Sequence, residues 1–271
     1  MSLGNTATRI IVSVAAIPLI LLACYFGSHF FLLFIAAIGA AAFWEFSHMA
    51  RNKNAFALDA LGLIAVLLII TNAYYRFMDF KMLVYFVVVL LLVYELFRNK
   101  SSAIFNLGTT LLGIFYIGLF SGSMIEIREY FPHDYKEGGI LMISILVAIW
   151  VCDSAAFFAG SALGKHKLFP RVSPKKSWEG AIAGFIAAVI AMIVMKILFL
   201  HPLSVADSAV IGLVVGTIGQ IGDLTESLIK RDAGVKDSSN IIPGHGGIFD
   251  RFDSLLLSSP VVYLYLVYFV K

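Results

Sequence analysis

The chain has 271 residues, of which 60% are hydrophobic and only 14% are charged. Its mean hydropathy is +0.92, whereas an average soluble domain has about 25% charged residues. This composition excludes an ordinary soluble globular protein and indicates an integral membrane protein. We therefore expect the lipid bilayer, and no nucleic acid, among its partners.

Long apolar segments recur along the whole chain. A membrane span needs about 20 mostly apolar residues in a helix, because no water is available to bind the backbone. The first segment follows Arg9 as a secretory signal would, but a second full-length segment follows at once, so we keep it as a helix. We predict an all-α polytopic protein with about nine transmembrane helices, over residues 10–27, 30–49, 57–75, 82–97, 104–123, 139–163, 178–200, 204–230 and 252–270.

The lysine and arginine residues predict the orientation in the membrane. They accumulate in the amino terminus and in the even-numbered loops, which lie on one side if there are nine spans. Basic loops remain cytoplasmic, so the amino terminus is predicted to be cytoplasmic and the carboxyl terminus external. We expect a protein of the cytoplasmic (inner) membrane whose active site faces the cytoplasm. Cys24 and Cys152 fall inside predicted spans and are interpreted as buried thiols.

The two halves of the chain differ in polarity. Residues 1–125 form an apolar scaffold with isolated charges such as Glu45 and Glu95, whereas residues 139–271 carry more glycine, more polar residues within spans and more basic loops. We interpret the second half as the catalytic region, although not as an independently folding domain. The chain has no internal repeat, so an inverted-repeat transporter gains no support.

A polar stripe runs along the eighth predicted span. Its members fall at helical spacing, so they share one face of the helix. Ionisable residues inside a membrane cost roughly 3 kcal/mol or more each unless they are paired or hydrated. The stripe therefore predicts a functional site, with a structural set of ion pairs as the alternative. Its residues are Asp223, Glu226, Ser227, Lys230 and Arg231.

The loop after this span combines glycine with positive charge. The turn from Pro243 to Gly247 offers successive amides that are expected to form an anion-binding concavity. Asp250 and Asp253 then open the last helix. Carboxylates beside a basic, glycine-rich loop are typical of a magnesium and polyphosphate site, whereas a solvated cytoplasmic hairpin is the alternative. The cationic donors are Lys230, Arg231, Lys236, His245 and Arg251.

A second constellation lies in the sixth span and the loop behind it. Asp153, Gly160 and Gly164 fall at near-helical spacing, which places a carboxylate beside small residues that admit close packing or a ligand. The basic residues that follow also fit the alternative of topology and lipid attraction. Three polar residues directly precede the next helix start, whose free amides attract anions: Lys175, Lys176 and Ser177.

These residues carry a family resemblance. The run from Ser227 to Asp253, with its His245-Gly246-Gly247 and Asp250-Arg251-x-Asp253 groups, resembles the signature of the phosphatidate cytidylyltransferases, or CDP-diacylglycerol synthases. The segment from Ser173 to Gly180 resembles a second motif of that family, with serine at 177 where threonine is common. Asp153 with its following glycines is similar to a third. The resemblance covers most of the chain from residue 149 to the end.

The resemblance implies a reaction of phospholipid biosynthesis. CTP and phosphatidic acid would give CDP-diacylglycerol and pyrophosphate, with Mg²⁺ as cofactor and a second, monovalent cation such as K⁺ beside it. The lipid phosphate attacks the α-phosphorus, and because both reactants are anions, metals and cationic clamps would relieve their repulsion. The sequence leaves the oligomeric state open, with a homodimer as one alternative.

The resemblance and the residue chemistry together assign roles. The expected metal ligands are Asp223, Asp250, Asp253 and Asp153. The expected substrate-binding residues are Lys175, Lys176, Ser177, Ser227, Gly246 and Gly247. The expected catalytic residues, which would bind and neutralise phosphates, are Lys230, Arg231, Lys236, Asp237, His245 and Arg251.

Two other functions use a similar pocket. A CTP-dependent lipid alcohol kinase, acting on a polyprenol or phytol, would transfer the γ-phosphoryl group and release CDP instead of pyrophosphate. A cation or phosphate transporter would also place carboxylates within the membrane, but the glycine-rich phosphate loop argues against it.

Overall fold

The computed structural model describes residues 5–270, with side chains described from Val12 onward. Helices account for most of this range, as the apolar segments predict. Two of them contain a π-helical turn, at Ile114–Leu119 and Val215–Gly219. The helices are α1 (Asn5–Phe26), α2 (Ser28–Arg51), α3 (Asp59–Tyr75), α4 (Phe80–Phe97), α5 (Ala103–Arg128), α6 (Tyr135–Leu163), α7 (Trp178–Leu198), α8 (Val205–Asp232) and α9 (Phe249–Phe269).

Seven helices among the described residues are long and apolar enough to cross a membrane, namely α2 and α4 to α9. Two further apolar segments are shorter, Val12–Phe26 in α1 and Asp59–Tyr75 in α3. The prediction of a helical, polytopic membrane protein is therefore confirmed. The full count of nine spans and the position of the amino terminus stay predictions.

The chain forms two compact units. The first comprises residues 1–23, 28–126 and 230–251, and the second comprises residues 24–27, 127–229 and 252–271. Helices α8 and α9 each contribute to both units. The charged segment after α8 thus belongs to the first unit, although it lies in the second half of the sequence.

Close helix packing in the first unit centres on Phe43 of α2. A side chain at Gly62 of α3 or at Gly113 of α5 would overlap the Phe43 ring. Phe43 is buried, with 1% of its surface exposed. Because only glycine leaves room for this ring, two glycines are required for α3 and α5 to approach α2.

The second unit is built on a glycine contact between α6 and α7. A Cβ at Gly180 of α7 would lie 2.6 Å from the Ala156 carbonyl oxygen and 3.1 Å from the Gly160 Cα of α6. Helix α8 joins through Gly216 in its π-helical turn, where a Cβ would lie 2.9 Å from the Phe185 Cα of α7. The backbones therefore approach closely, and polar groups on three helices are brought to one place.

A short antiparallel hairpin, β1 (Lys167–Phe169) and β2 (Ser173–Ser177), connects α6 to α7. The hairpin was not predicted from the sequence, because its strands are short and basic, include a proline, and lack an alternating apolar pattern. The hairpin leads directly into α7, whose first turn is capped by the Ser177 hydroxyl accepting the Gly180 amide at 3.2 Å.

Candidate active site

A pocket of about 540 Å³ lies in the second unit. Helix α6, the hairpin and the start of α7 form its walls, and α8 contributes Gln220 and Asp223. The pocket brings together five residues that the sequence analysis placed at a site from three separate segments: Asp153, Lys175, Lys176, Ser177 and Asp223.

An ion pair between Lys176 and Asp223 lies in this pocket. Both side chains remain partly accessible, with 29% of Lys176 and 32% of Asp223 exposed. The Ser227 hydroxyl, one turn further along α8, donates to Asp223 Oδ1 at 3.4 Å. Because the pair is accessible, both groups can exchange partners when a ligand enters.

Two further carboxylates lie near this pair. Asp223, Asp153 and Lys176 are all within electrostatic range of Asp253, whose Oδ1 also accepts the Ser254 amide at 2.6 Å. These carboxylates supply oxygen donors of the kind that Mg²⁺ prefers. The chemistry of the donor set therefore fits the expected metal.

The carboxylates do not form a closed protein cage for a metal. Among the described residues, no group of three or more histidine, cysteine, aspartate or glutamate side chains has the arrangement of a metal site. Magnesium is usually held by one or two carboxylates together with substrate phosphates. An open arrangement of this kind is compatible with a site that a nucleotide completes.

Small residues shape the pocket wall. A Cβ at Gly160 would lie 3.2 Å from the Ser177 hydroxyl, and one at Gly164 would lie 3.0 Å from the Ser177 Cβ. These glycines let the end of the hairpin lie directly against α6. Ser177 is therefore both the cap of α7 and part of the pocket lining.

The first unit contains a second polar cluster, in the segment from Lys230 to Arg251. The Lys230 ammonium donates to Asp250 Oδ1 at 2.5 Å, and 11% and 3% of these side chains are exposed. Asp250 Oδ2 accepts the Ser238 amide and hydroxyl, both at 2.9 Å, and the Gly247 amide at 2.7 Å. Both oxygens of Asp250 are thus engaged by protein donors.

Glu45 of α2 holds the same segment from another side. Its Oε1 accepts the Ser239 hydroxyl at 2.6 Å and the Ile248 amide at 2.9 Å. Its Oε2 accepts the Ser238 hydroxyl at 2.9 Å and the Phe249 amide at 2.8 Å. Glu45 is fully buried, so these contacts replace its hydration.

The glycine turn does not form the anion-binding concavity in the way that the sequence predicts. Gly244 and Gly246 have positive φ angles of 74° and 81°, and the Ile242 amide donates to the Gly246 carbonyl at 2.9 Å. The turn therefore forms, but the amide of Gly247 points at the Asp250 carboxylate instead of an open anion site. Substrate contact by Gly246 and Gly247 stays a prediction.

The remaining predicted residues of this segment lie around the buried cluster. His245 is hydrogen bonded to the Ser13 hydroxyl at 3.2 Å, and the Arg231 guanidinium donates to the Val235 carbonyl at 3.1 Å. Their catalytic roles stay predictions. Three further residues of the predicted set are exposed: Lys236, Asp237 and Arg251.

Some polar residues at these clusters were not singled out as site residues from sequence. Glu45 was noted only as an isolated charge, since its partners lie about 200 positions away. Lys167 is one of the basic residues after the sixth span that were left open between a site and membrane topology, and it lines the pocket. Gln220 also lines the pocket, and its amide donates to the Ala181 carbonyl at 3.0 Å. A charge or amide inside an apolar segment was the available signal for Glu45 and Gln220.

Comparison with known proteins shows the family of the chain. The profile of the cytidylyltransferase family matches residues 7–269. The chain is 34% identical over 96% of its length to a phosphatidate cytidylyltransferase of Bacillus subtilis, covering 97% of that protein. It is 32% identical to one from Haemophilus influenzae, over 97% of this chain and 98% of that protein, and 30% identical to one from Synechocystis, over 96% of each. The chain therefore belongs to the cytidylyltransferase family.

Proposed function

We propose that the chain is a phosphatidate cytidylyltransferase, which transfers the cytidylyl group of CTP to phosphatidic acid and releases pyrophosphate. The observation that carries the proposal is the pocket in which Lys175, Lys176 and Ser177 lie with Asp153 and Asp223. Relatives that bear this name match the chain over nearly its full length. Family and pocket chemistry thus support the same reaction.

The hairpin supplies the groups for the CTP triphosphate. Lys175 and Lys176 are adjacent cations in the pocket lining, and the amides of the first turn of α7 follow immediately. Charge-assisted hydrogen bonds to phosphate are about twice as strong as neutral ones, and the positive end of a helix adds to them. Lys176 is expected to leave Asp223 and to bind a phosphate oxygen when CTP enters.

Asp153, Asp223 and Asp253 are the proposed ligands of Mg²⁺. A bound Mg²⁺ neutralises phosphate charge and aligns the reacting groups. The three carboxylates would hold this cation, and the Ser227 hydroxyl holds Asp223 in place. Asp250 stays a predicted further ligand, since its oxygens already accept four donors. K⁺ as a second cation also stays a prediction.

The chain needs no nucleophile of its own, because the phosphate oxygen of the lipid attacks the α-phosphorus directly. The bond to the α-phosphorus forms as the bond to the pyrophosphate oxygen breaks. The protein binds, aligns and neutralises the two anions, which accounts for most of catalysis in phosphoryl transfer. Lys230 and its basic neighbours are proposed to bind phosphate oxygens in this reaction.

The proposed setting is the cytoplasmic membrane, with nine spans, a cytoplasmic amino terminus and a cytoplasmic active site. Both native cysteines are buried, so introduced cysteines can report on topology with a low background. In intact cells, a membrane-impermeant maleimide should label a Lys136→Cys variant and leave a Lys53→Cys variant unlabelled. The reverse pattern would contradict the orientation. The oligomeric state, for which a homodimer is one alternative, can be measured by light scattering of the purified protein.

The reaction is tested with purified protein, phosphatidic acid, Mg²⁺ and CTP labelled in the cytosine base. The expected product is a cytidine label that moves into the lipid phase, with release of pyrophosphate. Labelled CDP in the aqueous phase and a phosphorylated lipid alcohol would instead identify a kinase. Vesicle flux without nucleotide turnover would identify a transporter.

A further inference from the structure

Glu45 stands out because it is a buried carboxylate remote in sequence from every predicted site residue. It lies in α2, within the apolar first half, and none of its surface is exposed. Each of its oxygens accepts one backbone amide and one serine hydroxyl, all from the segment 238–249. The whole hydrogen-bonding capacity of this side chain is thus directed at the glycine-rich segment.

The contacts of Glu45 fix where α9 begins. The amides of Ile248 and Phe249, at the start of that helix, donate to the two oxygens of Glu45. These amides have no acceptor within their own helix, so a carboxylate there acts as a cap supplied by another helix. Phe249 also packs on Phe46, the neighbour of Glu45, with ring centroids 6.3 Å apart.

Glu45 and Asp250 act on the same backbone. The Ser238 hydroxyl contacts both carboxylates at 2.9 Å, and Gly247 lies against them. A Cβ at Gly247 would overlap the Ser238 hydroxyl and would lie 2.5 Å from both oxygens of Glu45, so glycine lets the chain approach both side chains. Asp250 in turn holds Lys230, a predicted phosphate ligand.

We propose that Glu45 is a positioning residue for the cytidylyl transfer, which sets the geometry of residues 238–250 and, through Asp250, the place of Lys230. This inference rests on the proposed function. Glu45 touches no reacting atom. Its effect is expected in turnover, because a displacement of about 1 Å in a positioned group costs on the order of 100-fold in rate.

The substitution Glu45→Gln tests the proposal sharply. A glutamine presents one oxygen and one NH₂ group, and each oxygen of Glu45 faces a backbone amide that can only donate. Either orientation of the glutamine therefore sets a donor against a donor. We expect turnover to fall about 100-fold and hydrogen exchange in peptides covering residues 238–250 to accelerate about tenfold.

Glu95→Gln is the matched control. Glu95 is the other buried glutamate noted in the first half of the chain, with 5% exposed, and it accepts from Asn106 at 2.7 Å and Arg98 at 3.2 Å. Its substitution perturbs a buried carboxylate without touching segment 238–250. We expect turnover of Glu95→Gln to stay within about threefold of wild type, since the NH₂ group of the new glutamine faces no backbone amide of segment 238–250.

Two other variants complete the experiment. Glu45→Asp keeps the charge on a shorter side chain and should restore part of the turnover lost in Glu45→Gln. If Glu45→Gln fails to fold, Ser239→Ala removes the 2.6 Å contact with Glu45 and the 3.2 Å hydrogen bond that the Ser239 hydroxyl accepts from the Ile241 amide. It should lower turnover about threefold to tenfold with a similar local gain in exchange.

The measurements separate this inference from the function on which it rests. A wild-type protein that forms no lipid-linked cytidine would overturn the reaction itself. If the wild type is active, two results would overturn the role of Glu45. One is a folded Glu45→Gln or Ser239→Ala variant with wild-type turnover, and the other is unchanged hydrogen exchange in residues 238–250 of that variant. An equal loss in Glu95→Gln would also overturn it, because the effect would then be one of general stability.

Discussion

Two lysine–aspartate pairs in the molecule have the same chemistry and different surroundings. Lys176 and Asp223 have 29% and 32% of their side chains exposed, whereas Lys230 and Asp250 have 11% and 3% exposed. The first pair lines a pocket, and the second is enclosed by the Ser238 and Gly247 donors. An accessible pair can therefore take up a ligand as it stands, whereas the buried pair is also fixed in place by donors of the protein itself.

Asp250→Ala should have the largest effect on stability. It removes the Asp250 carboxylate from the buried Lys230 ammonium, and removing one member of a buried pair costs about 3–5 kcal/mol. The free energy of unfolding in detergent measures this cost. Asp232→Ala is the control, since the Lys53–Asp232 pair has 52% and 70% of its side chains exposed and should contribute about 0–1 kcal/mol. Equal losses in the two variants would contradict the comparison.

Asp223→Asn should separate activity from stability. The accessible pair contributes about 1 kcal/mol or less to folding, but loss of a proposed metal ligand should lower turnover about 100-fold or more, by analogy with other groups that stabilise transition-state charge. Turnover over a Mg²⁺ titration, together with the unfolding free energy, measures both effects. Unchanged Mg²⁺-dependent turnover would remove Asp223 from the metal site, and Asp232→Asn on the same helix serves as control.

Replacing both Lys175 and Lys176 by alanine should weaken CTP binding. Loss of charge-assisted contacts to phosphate, at about 1.5–3 kcal/mol each, predicts a rise in KM for CTP of tenfold or more. Lys53→Ala, an exposed cation outside the pocket, should leave KM unchanged. If the double variant has the wild-type KM for CTP, the two lysines do not bind the nucleotide, and the alternative, a role in membrane topology, is favoured.

Ser177→Ala should have the smallest of these effects. It removes the hydrogen bond to the Gly180 amide, and loss of such a cap costs about 1 kcal/mol. Ser177→Thr keeps the hydroxyl and should unfold at nearly the wild-type free energy. If alanine and threonine behave alike, the cap contributes nothing and the role of Ser177 must lie elsewhere in the pocket.

Local pattern predicted the helices and singled out residues of both polar clusters. Apolar segments of span length form helices because backbone groups in lipid must hydrogen bond to one another. The motifs around Asp153, Lys176 and Asp223 lie in one pocket. These residues lie near helix ends or on marked helix faces. Their position could therefore be inferred from spacing and from the cost of charge in a membrane.

Long-range contacts were beyond the reach of local pattern. Glu45 meets residues 238–249 across about 200 positions, and no periodicity encodes such a pairing. The turn from Pro243 to Gly247 was recognised as a turn, but the acceptors of its amides depend on that distant glutamate and on Asp250. The hairpin at 167–177 also lacked a signal, since pairing of short polar strands depends on the helices beside it.

The central claim is best tested by measuring lipid-linked cytidine and pyrophosphate in the same reaction, for wild type and for Asp223→Asn. We predict equal molar amounts of both products from wild type, and loss of both products from Asp223→Asn although that variant unfolds at a similar free energy. Pyrophosphate without lipid-linked cytidine, CDP in place of pyrophosphate, or full activity of Asp223→Asn would contradict it.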